Sequence, residues 1–354
     1  MQKLCFFIPE ERGRMGEPNA ALNVYMSKKE RIRDVVEYYM GGRIPAGYEI
    51  STEDGFYSLR DKGKLTFRER DELKKVQLKE GKGFLLGIEN QMTVNLTFPQ
   101  RLLEMDSLEY RRQVDEITEK NRQAGIKYSA EDDFKYRFRK KDRLRPVCSL
   151  KLYWGKEKEH MPVSLGDMMD MEGMPEQMRH LFNDYRVHTV CMRFIPDEDL
   201  ENMASDMKYV IGVLKRTETG KNYQQFILEH ADYFNRMPAD AYEVIRVCAN
   251  IKEIKKEFTF REDDGEVRVD MCRAIYEIKR DAKREGKREG KKEGRLEGRR
   301  EGRCEAILEL LEGCGEVPEE TKKLIFKEKN TEKLGMWLRL AAKAESIEEF
   351  YMAM

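Results

Sequence analysis

Asp71-Glu72-Leu73-Lys74-Lys75-Val76-Gln77-Leu78 and Phe84-Leu85-Leu86-Gly87-Ile88-Glu89-Asn90-Gln91 read as two short strands. Between them, Glu80-Gly81-Lys82-Gly83 is a turn signal. The run Phe84 to Ile88 is apolar enough for a buried strand. A turn centred near Gly81 sets opposite each other the residues whose numbers sum to about 160–162, so Asp71 faces the stretch Glu89 to Gln91. Side chains alternate along a strand, so Glu89 and Gln91 share a face and Asn90 points away. One carboxylate from each strand then converges at one end of the hairpin, open to solvent. Such a pair is a hard-oxygen site suited to Mg2+ or Mn2+, although a strand ending in acidic and amide residues also suits a solvated edge.

Working outward, Ser27 with Glu30 three residues on predicts a capped helix with Ile32, Val35, Val36 and Tyr39 on its apolar face, ending at Gly41-Gly42. Pro99 opens a second helix, to Lys120, along Leu102, Leu103, Met105, Leu108 and Tyr110. Val147 to Trp154 is another strand, and Val187 to Phe194 a last core strand or buried helix. Strands separated by helices predict an α/β core. The expected organisation is a leader at 1–20, a core at 21–195, a helical extension at 196–280, a connector at 281–303 and a helical tail at 304–354. In that tail Pro318 starts one helix and Trp337 lies on another.

The connector repeats Arg-Glu-Gly or its like at a strict period of four: Arg284-Glu285-Gly286, Arg288-Glu289-Gly290, Lys292-Glu293-Gly294, Leu296-Glu297-Gly298, Arg300-Glu301-Gly302. From Lys279 to Arg303 it carries 12 basic and 6 acidic side chains, a net +6. Each glycine costs a helix about 1 kcal/mol, which favours a flexible charged connector over a helix with a glycine stripe for a partner helix or DNA.

Bulk composition excludes some classes. Among 354 residues, 40% are hydrophobic, enough for a real core, and 38% charged, so much of the chain is solvated. The net charge is zero, and any basic surface must come from local segregation. No apolar run approaches the ~20 residues that span a bilayer, so no membrane is expected. Met1 to Arg12 lacks a signal peptide's small-residue cleavage site. The seven cysteines are scattered and never spaced C-x-x-C, as in a reduced, cytoplasmic protein. They and the four histidines show no zinc-ligand spacing. The glycines Gly81, Gly83 and Gly87 lead into a strand and do not make a nucleotide loop.

Arg70-Asp71-Glu72-Leu73-Lys74, then Ile88-Glu89-Asn90-Gln91, then Phe98-Pro99-Gln100-Arg101 with Asp106 and Tyr110, resembles the Rpn-type recombination-promoting nuclease/putative transposase family of the PD-(D/E)xK superfamily. Lys141-Asp142-Arg143-Leu144 through Pro146-Val147 to Tyr153-Trp154-Gly155, Ser164-Leu165, the repeat, and the ending Trp337-Leu338 to Ile347 extend the resemblance over most of residues 24–350.

The resemblance implies a restriction-endonuclease-like core, a mixed sheet flanked by helices with a helical C-terminal extension, and metal-dependent DNA hydrolysis. It implies Asp71 as the central acid, Glu89 as the second acid and metal ligand, and Gln91 where much of the superfamily has lysine. An amide can orient the attacking water but cannot stabilise negative charge as an ammonium does. Lys74 or Lys151, on neighbouring strands, could supply that charge, and Asp34 or Glu37 could be an upstream acid on the first helix. Arg101 and the strip Phe134 to Arg145, with Arg137, Arg139, Lys141 and Arg143, are candidates for DNA-backbone contacts. Aromatic and basic residues alternate in the strip as in a strand with one basic face, which a solvated face would also explain. The expected partners are DNA and, through the tail, a second copy of the chain. The competing expectation is a catalytically weak, nuclease-like DNA-binding or assembly protein of mobile-element biology.

Overall fold

The computed structural model describes residues 17–354 apart from 62–63, 79–81, 130, 134, 136, 158–160, 218–221, 250–258 and 262–264. The chain divides into two compact units, 1–274 and 275–354. The first unit holds both the expected core and most of the helical extension. Most of the expected leader, the tip of the hairpin turn, Phe134 and Tyr136 lie outside the described residues.

The first unit opens with α1 (Glu17–Met26), which the sequence reading did not anticipate. Pro18 suits its first turn, and Ala21, Leu22, Tyr25 and Met26 form its buried stripe. The next helix, α2 (Lys29–Met40), has Lys28 at its N-cap. Ser27 does not cap it, because its hydroxyl donates to the Val24 carbonyl at the end of α1, 2.7 Å away. Gly41, with φ of 65°, ends α2 in the left-handed region as its sequence predicts.

β1 (Tyr48–Thr52) and the hairpin β2 (Phe56–Asp61) and β3 (Lys64–Glu69) follow, none of them read from the sequence. β4 (Glu72–Leu78) and β5 (Gly83–Gln91) are the expected pair, antiparallel with Glu72 opposite Ile88 and Gln77 opposite Gly83. Then come α3 (Phe98–Gln123) and β6 (Val147–Tyr153), parallel to β5 with Glu89 opposite Lys151. After the one-turn α4 (Glu176–Arg179), β7 (His188–Cys191) runs parallel to β6. The five-stranded mixed sheet has the order β1-β4-β5-β6-β7. This is the expected α/β class.

The described residues of 135–145 do not form a strand. Asp133 and Phe138 form an isolated bridge, and turns surround it. Its acids build them: Asp132 accepts the N–H groups of Ser129 and Lys140, and Asp142 that of Arg139.

The first unit continues with α5 (Asp197–Glu201), α6 (Met207–Arg216), α7 (Asn222–Glu229), α8 (Ala231–Phe234) and α9 (Ala239–Cys248). A small sheet of β8 (Met237–Pro238), β9 (Thr259–Arg261) and β10 (Val267–Val269) interrupts the helices. Buried Arg31 of α2 ties this layer down by bonding Asp206 and Asp240.

Met271–Glu312 is one helix, α10, so the repeat is helical. Its non-glycine positions are good helix formers, and Glu285–Arg288 and Glu297–Arg300 pair along its surface. Buried Met271, Cys272, Ala274 and Ile275 anchor its start, and Cys304, Ile307 and Leu311 its end. The second unit adds α11 (Glu319–Lys327), α12 (Thr331–Ala341) and α13 (Ile347–Ala353). Ile325, Leu334, Trp337 and Phe350 pack with the end of α10 into their own core, and Asn330 and Ser346 cap α12 and α13.

Candidate active site

The β4–β5 ladder runs as far as Glu72 opposite Ile88, so Asp71 stands one step beyond its end, on the side of Glu89. Leu78 N–H bonds to Lys82 O, so even-numbered pairs carry the ladder bonds and Asn90 would next bond to Arg70 O. The chain has already left the ladder there, since Arg70 N–H goes to Gly55 O. Asp71 fills the gap with its side chain. Its Oδ2 accepts the Asn90 backbone N–H at 2.7 Å, and its Oδ1 accepts Asn23 Nδ2 at 2.9 Å. Asn23 Oδ1 in turn accepts Asn90 Nδ2 at 3.0 Å, and Trp154 Nε1 donates to Asn90 Oδ1 at 3.0 Å. Asn90 thus turns to α1, away from Glu89, as strand alternation predicts. Burial raises the pKa of Asp71, opposed by the bonds from Asn23 and Asn90 and by the charge of Arg101.

Glu89 lies on the sheet face that α3 covers. The expected opening to solvent is not there, since Glu89 is 0% exposed. Its Oε2 accepts Nη2 of Arg101 on α3 at 3.3 Å, its Oε1 has no partner at full hydrogen-bond geometry among the described residues, and the Asp71 backbone N–H lies close enough to favour its charged form. Burial, then the neighbouring charge of Asp71, push its pKa up to about 8, while Arg101 and Arg70 pull it down. An enclosed carboxylate with an orphaned oxygen beside a second carboxylate is costly to keep ionised.

Asp71 and Glu89 are the carboxylates here that could hold a divalent cation. Magnesium binds through one or two carboxylates and otherwise keeps water and substrate oxygens. No group of three or more His, Cys, Asp or Glu suited to a metal occurs among the described residues. The pair is therefore no closed, zinc-type cage.

Gln91 lies two residues beyond Glu89 on the same face, nearly buried. Of the two candidate lysines, only Lys151 is on that face, beside Glu89 in the parallel register. It is fully buried and has no carboxylate within ion-pair distance among the described residues. Its Nζ lies 3.5 Å from Met161 Sδ and 4.7 Å from the centre of the Phe98 ring. Burial lowers its pKa. Lys74 points to the opposite face, where Glu72 neutralises it at 2.7 Å and Ser27 O and Thr52 Oγ1 accept its remaining bonds.

Neither upstream acid bonds to the pair. Both oxygens of Asp34 accept backbone N–H groups, of Ala204 and Ser205, and Glu37 Oε1 accepts that of Ile44. The helix residue that does reach the site is Asn23 of α1, in a stretch where the sequence reading placed no element. Arg70 is the other residue the sequence reading did not single out. Among the DNA-backbone candidates, Arg101 sits at the site, 39% exposed. Arg139 is held by Asp142 at 2.7 Å, and Arg143 donates to the Lys140 and Asp142 carbonyls. Arg137, with φ of 56°, and Lys141 are exposed.

Compared with known proteins, the chain matches no family model, no curated protein and no solved structure.

Proposed function

We propose that the chain is a magnesium- or manganese-dependent deoxyribonuclease that hydrolyses phosphodiesters internally, with a restriction-endonuclease-like core. The observation that carries this reading is the orphaned, fully enclosed Glu89 Oε1 beside the carboxylate of Asp71. In this reading Asp71 and Glu89 hold the ion, which when bound polarises the phosphate and lowers the pKa of its water. The Gln91 amide orients the attacking water by hydrogen bonding. Lys151 supplies the cation that Gln91 lacks and offsets charge developing on the phosphate. Arg101, partly exposed beside Glu89, would take a backbone phosphate of the DNA.

A plasmid-nicking assay tests this directly. Supercoiled plasmid should be nicked with Mg2+ or Mn2+ and remain intact with chelator. The enclosure of Glu89 and the neutral Gln91 favour a second reading: a catalytically weak DNA-binding or assembly protein of mobile-element biology. It predicts a shift in plasmid mobility without nicking. For the C-terminal unit the proposed partner is a second copy of the chain, which light scattering would reveal. A cytoplasmic location belongs to the same proposal. Among the described residues no helix is long and apolar enough to cross a membrane.

A further inference from the structure

Arg70 directly precedes Asp71, and its side chain crosses the sheet instead of following the strand. Nη1 donates to Ser149 Oγ on β6 at 2.9 Å, and Nη2 bonds to Asp106 Oδ1 on α3. Ser149 Oγ donates to the same Asp106 oxygen at 2.6 Å, and the hydroxyl of Tyr185, from the segment before β7, bonds to Oδ2. The guanidinium lies against Gly87, where a Cβ would collide with Nη1. Gly87 is bare so that Arg70 can pass over β5. The backbone N–H of Arg70 is pinned as well, to Gly55 O at 3.1 Å.

Asp71 stands just outside the β4–β5 ladder, so the ladder does not fix it. What fixes it is Arg70 on one side and the Asn23–Asn90 bonds on the other. We infer that Arg70 is a positioning residue, whose clamp onto Asp106, Ser149 and Tyr185 sets the corner from which the Asp71 carboxylate reaches Asn90 and the metal position. The clamp also explains why a full positive charge and a carboxylate are buried at the sheet–helix interface: they tie α3, β5 and β6 to the residue before the acid. The role assigned to Asp71 here rests on the nuclease reading.

Removing Arg70 alone leaves Asp106 buried without its counter-charge, which can prevent folding. The test therefore uses Arg70→Gln with Asp106→Asn, a neutral pair that keeps hydrogen-bonding groups, beside Arg70→Lys. Ile227→Val in α7 is the control for stability loss remote from the site. Mn2+ affinity is measured by calorimetry, and exchange of the Asn90 backbone amide by NMR on the metal-free protein. The double variant should bind Mn2+ roughly 10- to 100-fold more weakly and exchange its Asn90 amide faster, with Arg70→Lys in between and the control unchanged. Mn2+ affinity and Asn90 exchange both within about two-fold of the parent in a folded double variant overturn the inference. If the parent binds no Mn2+, the nuclease reading falls. Asn90 exchange alone then decides the role of Arg70: faster exchange supports it and unchanged exchange overturns it.

Discussion

Asp71 Oδ2 accepts the Asn90 backbone N–H at 2.7 Å, in the place where the β4–β5 ladder would have offered the Arg70 carbonyl. A side chain has replaced a backbone acceptor, and this brings a carboxylate to the residue next to Glu89. The chemistry proposed for the site follows from that substitution.

Stability of the metal-free protein should fall as pH rises. Glu89 has its pKa raised from 4.5 to about 8, so between these values the folded state binds more protons than the unfolded one. The stabilisation from the protonated carboxyl is complete below about pH 4.5 and is lost as pH rises through about 8. Integrated, the loss is on the order of 5 kcal/mol at most. Thermal melts across this window should show a declining Tm, flattened by Glu89→Gln and by saturating Mg2+. A parent Tm with no decline would contradict the assignment of a buried, ionisable Glu89.

The β4–β5 hairpin, α3 and β6 were legible because period-two and period-3.6 patterns and the turn glycines agree there. The register sum of 160 follows from the position of the turn alone. Asn23 was not legible. It meets Asn90 across 67 residues from a ten-residue helix behind a glycine-containing leader. Alternation along β4 already sets Lys74, three residues from Asp71, on the opposite face, whereas the place of Lys151 beside Glu89 depends on the parallel β5–β6 register, which the sequence does not set. The basic strip misled because its aromatic–basic alternation imitates a strand, whereas Asp132 and Asp142 capture backbone N–H groups and fold its described residues into turns. The repeat misled because glycine cost was weighed without the buried anchors at both ends of α10.

Lys151→Met should separate stability from activity. An unpaired buried ammonium destabilises the fold, so a side chain of similar length without charge should raise Tm or leave it unchanged. The same change should lower cleavage by about 100-fold or more, as loss of a group that stabilises transition-state charge does. Mn2+ affinity should hold within about three-fold, because Lys151 is not a ligand. Single-turnover cleavage and calorimetry check this. Cleavage at the parental rate would remove Lys151 from the site.

Gln91 variants probe the water-orienting role. Gln91→Ala should slow cleavage about ten-fold or more with little change in DNA affinity, since affinity rests on phosphate contacts elsewhere. Gln91→Lys should preserve or raise the rate by adding a cation on the same face. Single-turnover rates beside DNA affinity at two salt concentrations distinguish these outcomes. Equal rates across parent, alanine and lysine forms would mean that Gln91 takes no part in the reaction.

The most direct test is single-turnover cleavage of DNA by the parent, Asp71→Asn and Glu89→Gln at matched Mg2+. Each substitution keeps the shape of the side chain and removes a charge that would hold the ion. The account predicts cleavage by the parent and a loss of about 1,000-fold or more in each variant, with cooperative melting retained. Both variants cleaving as fast as the parent would contradict the site. A parent that binds Mg2+ at Asp71 and Glu89 yet cleaves nothing would contradict the nuclease and leave the DNA-binding reading.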